Sequence, residues 1–179
     1  MKMIKEAFRK TCLKRLKKAS TRRAYIKDKK VLAQLYQCIM DQNAQNIMLY
    51  LPLKMEVNLY PLIKKLRRQK CTLYVPFMEG ASFRLVKYRL PLRKKQFGIK
   101  EPLDSKQFRI KKIDIAIVPI VGVDVTHRRV GFGKGMYDRF FEKNRKNIKQ
   151  VVFVARELCY AKEIVTDHYD VKADMIFTP

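Results

Sequence analysis

The stretch IDIAIVPIVGVDVTHRRVGFGKGMYDRFF, residues 113–141, decides the fold. Its first eleven residues are apolar except for Asp114, and such a run reads as a buried strand. The segment after Gly135 reads as the start of a helix. Between them stand Gly131, Gly133 and Gly135, half of the six glycines in the chain, at alternate positions around Lys134. A strand, a glycine-rich turn and a helix N-terminus form an arrangement in which backbone amides hold phosphate. Glycine lets the backbone approach an anion and adopt positive φ. Lys134 suits the place as a point charge, and Arg128 and Arg129 can add guanidinium forks. The turn is not a Walker A loop, because Lys134 is followed by glycine rather than Ser or Thr. A flexible turn in a basic protein would show the same spacing.

Working outward, residues 3–18 read as a helix. A second helix lies within residues 19–42, with Ser20 or Thr21 as its N-cap and Val31, Leu32, Leu35, Ile39 and Met40 on one face. The run NIMLYLPL (46–53) reads as a buried strand. NLYPLIKKLRRQK (58–70) reads as a helix with Pro61 in its first turn. CTLYVPF (71–77) is a further buried strand, FRLVKYRL (83–90) a more exposed one, and KKQFGIKEP (94–102) a loop. KQVVFVARE (149–157) and DMIFTP (174–179) are the last strands. Strands alternating with helices predict a three-layer α/β/α sandwich with a mostly parallel, Rossmann-like sheet. The expected organisation is a single domain over 1–179, with the helices of residues 1–42 packing on the sandwich.

The 179 residues include 41 Lys and Arg against 16 Asp and Glu, for a formal net charge of +25. Such a surface draws in polyanions, and nucleic acid, ATP and polycarboxylates all qualify. Aromatic residues interleaved with basic ones in the strands could stack bases, although a place in the core is their commoner fate. The four cysteines, Cys12, Cys38, Cys71 and Cys159, form no C-x-x-C pair. The expectation is reduced, mostly buried thiols in a cytoplasmic protein. No apolar run is long enough for a membrane span. The basic, amphipathic N-terminus suits a docking helix better than a secretory signal. Asp138, in the first turn after the glycines, offsets the helix dipole or holds Mg²⁺ beside phosphate; Asp167, Asp170 and Asp174 are possible partners.

VPIVGVDVTHRRVGFGKGMYDRFF resembles the signature of the 5-formyltetrahydrofolate cyclo-ligases (methenyltetrahydrofolate synthetases). Other pieces follow in the family's order: KEAFRK, YLPLKMEVNLYPLI, CTLYVPF, FGIKEP and TDHYDVKADMIFTP. The resemblance implies an ATP- and Mg²⁺-dependent enzyme that converts 5-formyltetrahydrofolate to 5,10-methenyltetrahydrofolate with release of ADP and phosphate. It implies that Lys5 and Arg9 contact the nucleotide and that Arg129, Gly131, Phe132, Gly133, Lys134, Gly135, Met136 and Tyr137 form the ATP loop. Lys134 and Arg129 would be catalytic. Asp138 and Asp170 match the Mg²⁺ carboxylates, and Leu51, Glu56 and Met136 the folate contacts. The chain departs from the pattern at Phe132, Met136, Asn58, Leu59 and Tyr169.

The expected partners are ATP and a formyltetrahydrofolate, polyglutamylated or not, on a monomer or weak dimer in the cytoplasm. Two alternatives stand beside this reading. One is a relative that binds nucleic acid through its charge; the other is an ATP-using enzyme of the same fold with another anionic substrate.

Overall fold

The computed structural model describes residues 2–21, 23–95, 98, 100–103 and 112–179. Two helices lead, α1 (Lys2–Ala19) and α2 (Ala24–Asp41), and β1 (Asn46–Met48) follows. Then come α3 (Tyr60–Arg68), β2 (Thr72–Glu79), β3 (Ser82–Lys87), β4 (Leu92–Lys94) and β5 (Lys100–Pro102). The second half runs β6 (Ile113–Pro119), β7 (Gly122–Asp124), β8 (Arg129–Val130), α4 (Met136–Asn144), β9 (Ile148–Val154), β10 (Tyr160–Ala161) and β11 (Met175–Phe177).

The main sheet has the order β11-β9-β6-β1-β2-β3. Every neighbouring pair is parallel except β2 with β3, which forms an antiparallel edge. The sheet is covered on both faces, as a parallel sheet must be. On one face α1, through Cys12 and Leu16, and α4, through Phe140 and Phe141, pack on Ala116, Val118 and Phe153. On the other, Val31, Leu35 and Ile39 of α2 and Leu62, Ile63 and Leu66 of α3 pack on Ile115, Ile117 and Val152. The α/β/α sandwich expected from the alternation is therefore the observed architecture. A small second sheet, β10-β7-β8, extends beyond the end of β6 and leads into the glycine turn.

Four local expectations are corrected. Neither Ser20 nor Thr21 caps α2. Ser20 Oγ bonds the Leu16 and Met55 carbonyls and Thr21 Oγ1 the Lys18 carbonyl, so both side chains close the end of α1. Arg23 holds the cap position with φ 55° and no side-chain bond to the helix. The segment read as a loop over 94–102 contributes β4 and β5, an antiparallel pair with Leu92 opposite Pro102; Gln96, Phe97 and Ile99 lie outside the described residues. Edge strand β3 is more buried than expected, because Phe83 and Leu85 lie on the face that α4 covers and Val86 joins the core of the opposite face. Lastly, Cys12 and Cys159 are disulfide-bonded, whereas Cys38 and Cys71 are free as expected. Spacing could not show this pairing, since 147 positions separate the two residues.

Candidate active site

The site lies at the C-terminal edge of the parallel strands. Gly135 is the N-cap of α4 with φ 63°, and Gly133 has φ 95°. Both are left-handed conformations that favour glycine. A side chain at Gly131 would run into the Arg129 guanidinium, 2.5 Å from its Nη1. The turn is thus wrapped closely around arginines. Arg139 donates to the Ala81 and Lys134 carbonyls and ties the turn to the β2–β3 hairpin. The sequence reading missed Arg139, although its position four residues into the helix after Gly135 is where a side chain reaches back over the preceding turn.

Helix α1 brings its expected cations to this place. Arg9 Nε donates to the Gly131 carbonyl at 2.8 Å, with its guanidinium beside Gly133. One turn earlier, Lys5 forms ion pairs with Asp170 and with Asp167, the latter at 3.2 Å. Burial lowers the Lys5 pKa, but the bonds to Asp170 and Asp167 outweigh it and leave the pKa raised. Asp138 is adjacent: its Oδ1 accepts from the Val171 N–H at 3.4 Å, and Arg129 Nη1 lies 3.8 Å from its Oδ2. Asp138 and Asp170 therefore converge on one strip of chain. Asp174 does not join them, because it accepts from Val151 N–H and pairs with Arg145 at the far end of β9.

Arg129 differs from its expected place. It is buried, donates from Nε to the Pro119 carbonyl at 3.0 Å, and lies over the Tyr137 ring at 4.7 Å. It braces the turn from beneath. Lys134 is exposed on the turn itself. The buried Arg128 Nε has no hydrogen-bond partner among the described residues.

Glu56 faces the turn from the segment between β1 and α3. Its Oε2 accepts from the Leu53 N–H at 2.7 Å. Burial pushes its pKa up from 4.5 to about 7, against the Leu53 bond and the charges of Arg129 and Arg156. The Tyr137 hydroxyl is also raised, first by burial and then by Glu56. These mutual effects place Glu56, Tyr137 and Arg129 around one buried spot. Leu51 is buried at the start of the same segment.

Two supports were invisible in the sequence reading. Arg156, at the end of β9, donates to both carboxylate oxygens of Asp28 (2.7 and 2.9 Å) and to the Lys54 carbonyl (2.8 Å), so it clamps the Glu56 segment to α2. Asp124, fully buried, accepts from both Thr126 and Thr166 hydroxyls and from the Thr126, Val165 and Thr166 amides. Burial raises its pKa, but these bonds win and hold it down at about 2. It anchors the segment that ends in Asp167 and Asp170. The D-V-T order is the one available signal, since an aspartate bonding two residues on is a turn habit.

The departures have structural explanations. Leu59 is a core residue, and Asn58 Oδ1 accepts from the Tyr60 N–H at the start of α3. Phe132 and Met136 pack on the core under the turn. The Tyr169 hydroxyl donates to Asp167 at 2.9 Å and contributes first to lowering that carboxyl, ahead of Lys5.

A parallel sheet ending in a glycine turn and a helix N-terminus is an arrangement in which α/β proteins hold nucleotide phosphates. The whole chain, residues 1–179, matches the 5-formyltetrahydrofolate cyclo-ligase family, and it belongs to that family. It is an enzyme of the ATP-dependent ligase class. The Haemophilus influenzae 5-formyltetrahydrofolate cyclo-ligase is 28% identical over 140 residues, 74% of this chain and 75% of the relative. The Escherichia coli K12 protein of the same name is 23% identical over 76% and 79% of the two chains. Among solved structures, the Aquifex aeolicus 5,10-methenyltetrahydrofolate synthetase superposes with TM-score 0.76 at 29% identity, over 97% of this chain and 88% of the other. The Mycoplasma pneumoniae synthetase superposes with TM-score 0.73 at 23% identity, over 97% and 98%, and supports the fold.

Proposed function

We propose that the chain converts 5-formyltetrahydrofolate to 5,10-methenyltetrahydrofolate, consuming ATP and releasing ADP and phosphate. The observation that carries this reading is the placement of two unlike binding surfaces against one buried spot. The glycine turn with Arg9 and Lys134 suits a triphosphate. The segment bearing Glu56 offers a half-buried carboxyl for the donor edge of a heterocycle. The formyl oxygen attacks the γ-phosphorus and ADP leaves. N10 then attacks the activated formyl carbon, and the phosphate departs with the former formyl oxygen and takes up the N10 proton. Phosphoryl transfer of this kind is catalysed by positioning and charge neutralisation. In this proposal Lys134 and the turn amides neutralise the moving phosphoryl group, Arg129 fixes the turn from below, and Leu51 and Met136 bound the folate.

Mg²⁺ suits the donor set. Asp138 and Asp170 are hard oxygen donors beside the turn, and this ion takes one or two carboxylates plus phosphate oxygens. It would supply charge neutralisation across the phosphates. Lys5 supplies positive charge at Asp170 in the structure described. The test is the appearance of methenyltetrahydrofolate absorbance. ATP-dependent formation is expected, reduced about a hundredfold in Lys134→Ala with the fold intact. Absence of turnover in the wild-type protein, or turnover without ATP, would overturn the reading.

A further inference from the structure

We propose that the cleft along α3 is a binding site for single-stranded nucleic acid, separate from the catalytic site. The chain's charge is unevenly spread: residues 57–100 contain twelve Lys and Arg against one acid, Glu79, and Glu79 is itself 3.6 Å from Arg84. Three of those cations, Lys64, Arg67 and Arg68, line a cleft of about 510 Å³ together with Tyr60, Ile63 and Tyr88. All three are exposed, and among the described residues no carboxylate pairs with them. Spacings of three and four place Lys64, Arg67 and Arg68 on one side of the helix. A cleft walled by cations without counter-charges takes an anion.

The tyrosines narrow the chemistry. Arg67 lies 5.5 Å from the Tyr88 ring centre, Lys65 3.2 Å from that of Tyr36 and Lys100 5.4 Å from that of Tyr60. Rings paired with guanidinium or ammonium groups beside a basic groove form the platform on which unpaired bases stack while cations follow the phosphates. A polycarboxylate has no flat face to place there. Stacking requires unpaired bases, so a single strand fits where a duplex does not. The Arg67–Arg68 end of the cleft is also remote from the glycine turn, with Tyr60 at the opposite end of α3. Tyr88 N–H bonds the Leu73 carbonyl at the start of β2, and Arg67 and Arg68 occupy the last turn of α3. That end lies at the N-terminal edge of the sheet, whereas the turn lies at the C-terminal edge beside Pro119.

The experiment is fluorescence anisotropy of the full chain with a labelled oligo-uridylate of about a dozen nucleotides, within the span such sites cover, titrated between about 50 and 200 mM salt. Saturable binding is expected. The triple variant Lys64→Ala, Arg67→Ala, Arg68→Ala should bind at least tenfold more weakly and lose about 2 from the slope of log affinity on log salt, at about 0.7 per phosphate contact. Tyr88→Leu should weaken binding about fivefold or more with the slope unchanged. Both variants should keep the wild-type melting temperature and ATP-dependent methenyltetrahydrofolate formation. Saturating Mg-ATP should not displace the oligonucleotide. No binding at low salt, wild-type affinity in the triple variant, no effect of Tyr88→Leu, displacement by Mg-ATP, or equal binding of poly-γ-glutamate of matched charge would each overturn the proposal.

Discussion

Glu56 is the residue whose chemistry most depends on its surroundings. A carboxyl in water is ionised far below neutrality, whereas this one is pushed up to about 7 by burial. Because its folded value lies above its ordinary 4.5, the folded chain binds the extra proton between those limits. Its contribution to stability therefore falls as pH rises through that window and is constant above it. Substrate recognition runs the other way, since the ionised form accepts two N–H groups. The kcat/KM for formyltetrahydrofolate should rise with pH around 7, and Glu56→Gln should lower it and flatten that limb while changing the KM for ATP little. A steep limb surviving in the variant would assign the ionisation to another group. Lys134 sits at the opposite surface. Lys134→Ala should reduce kcat/KM for ATP on the order of a hundredfold, the scale of losing one preorganised charge contact at a transition state, and leave the melting curve alone.

At the scale of elements, the turn and its helix are positioned by buried carboxylates. Asp124 pins the loop that follows β10 to β7 through three bonds from Val165 and Thr166, and is itself held by two from Thr126. Its pKa is held down at about 2, so its stabilisation is complete above its ordinary 3.8 and disappears as pH falls toward 2. Asp124→Asn should lower stability by about 3 kcal/mol at pH 7 and reduce this acid dependence, read by denaturant melts across that range. The Asp28–Arg156 pair clamps α2 to the Glu56 segment in the same manner. Asp28→Ala leaves a buried guanidinium uncompensated and should cost about 3–5 kcal/mol, whereas the joint exchange Asp28→Leu with Arg156→Met should recover most of that loss. Formyltetrahydrofolate KM should stay raised in the double variant, because the bond to the Lys54 carbonyl is still missing. These two buried carboxylates mark the limit of what the sequence reveals. Periodicity located all four helices and the parallel strands, because their apolar faces follow from local order. The glycine turn was legible because its three glycines stand between an apolar strand and a helix start, and the left-handed backbone at Gly133 and Gly135 accounts for two of them. A partner such as Asp28 for Arg156, 128 positions away, leaves no periodic trace, and neither does the burial that lifts Glu56. Arg129 was legible as part of the turn, but its side chain enters the core, a choice made by the Pro119 carbonyl.

The whole molecule depends on α1, which lies outside the sheet's strand order and yet delivers Arg9 and Lys5 to the turn. What secures it is a set of long-range ties: Leu16 in the core, the Arg15–Glu157 pair at 2.7 Å, and the disulfide from Cys12 to Cys159. Cys12 and Cys159 are both buried, and a side chain at Gly122 would come within 3.2 Å of Cys12 Sγ, so the bond lies deep between α1 and β7. Closing a loop across 147 positions removes much unfolded-state freedom, and the chain-entropy relation gives about 5 kcal/mol for a loop of that length. Replacing both residues by alanine should lower stability by about that amount, less whatever the freed helix retains by packing. The functional effect should be selective, because α1 touches the phosphate side of the site through Arg9 and Lys5, whereas the Glu56 segment meets the end of α1 through Ser20 Oγ at the Met55 carbonyl and is clamped to α2 by Arg156 as well. KM for ATP should rise severalfold in the double variant at a temperature where it remains folded, with KM for formyltetrahydrofolate nearly unchanged. Equal rises in both would show that α1 supports the sheet as a whole rather than the phosphate side. An unchanged ATP KM would mean that Leu16 and the Arg15–Glu157 pair hold the helix unaided.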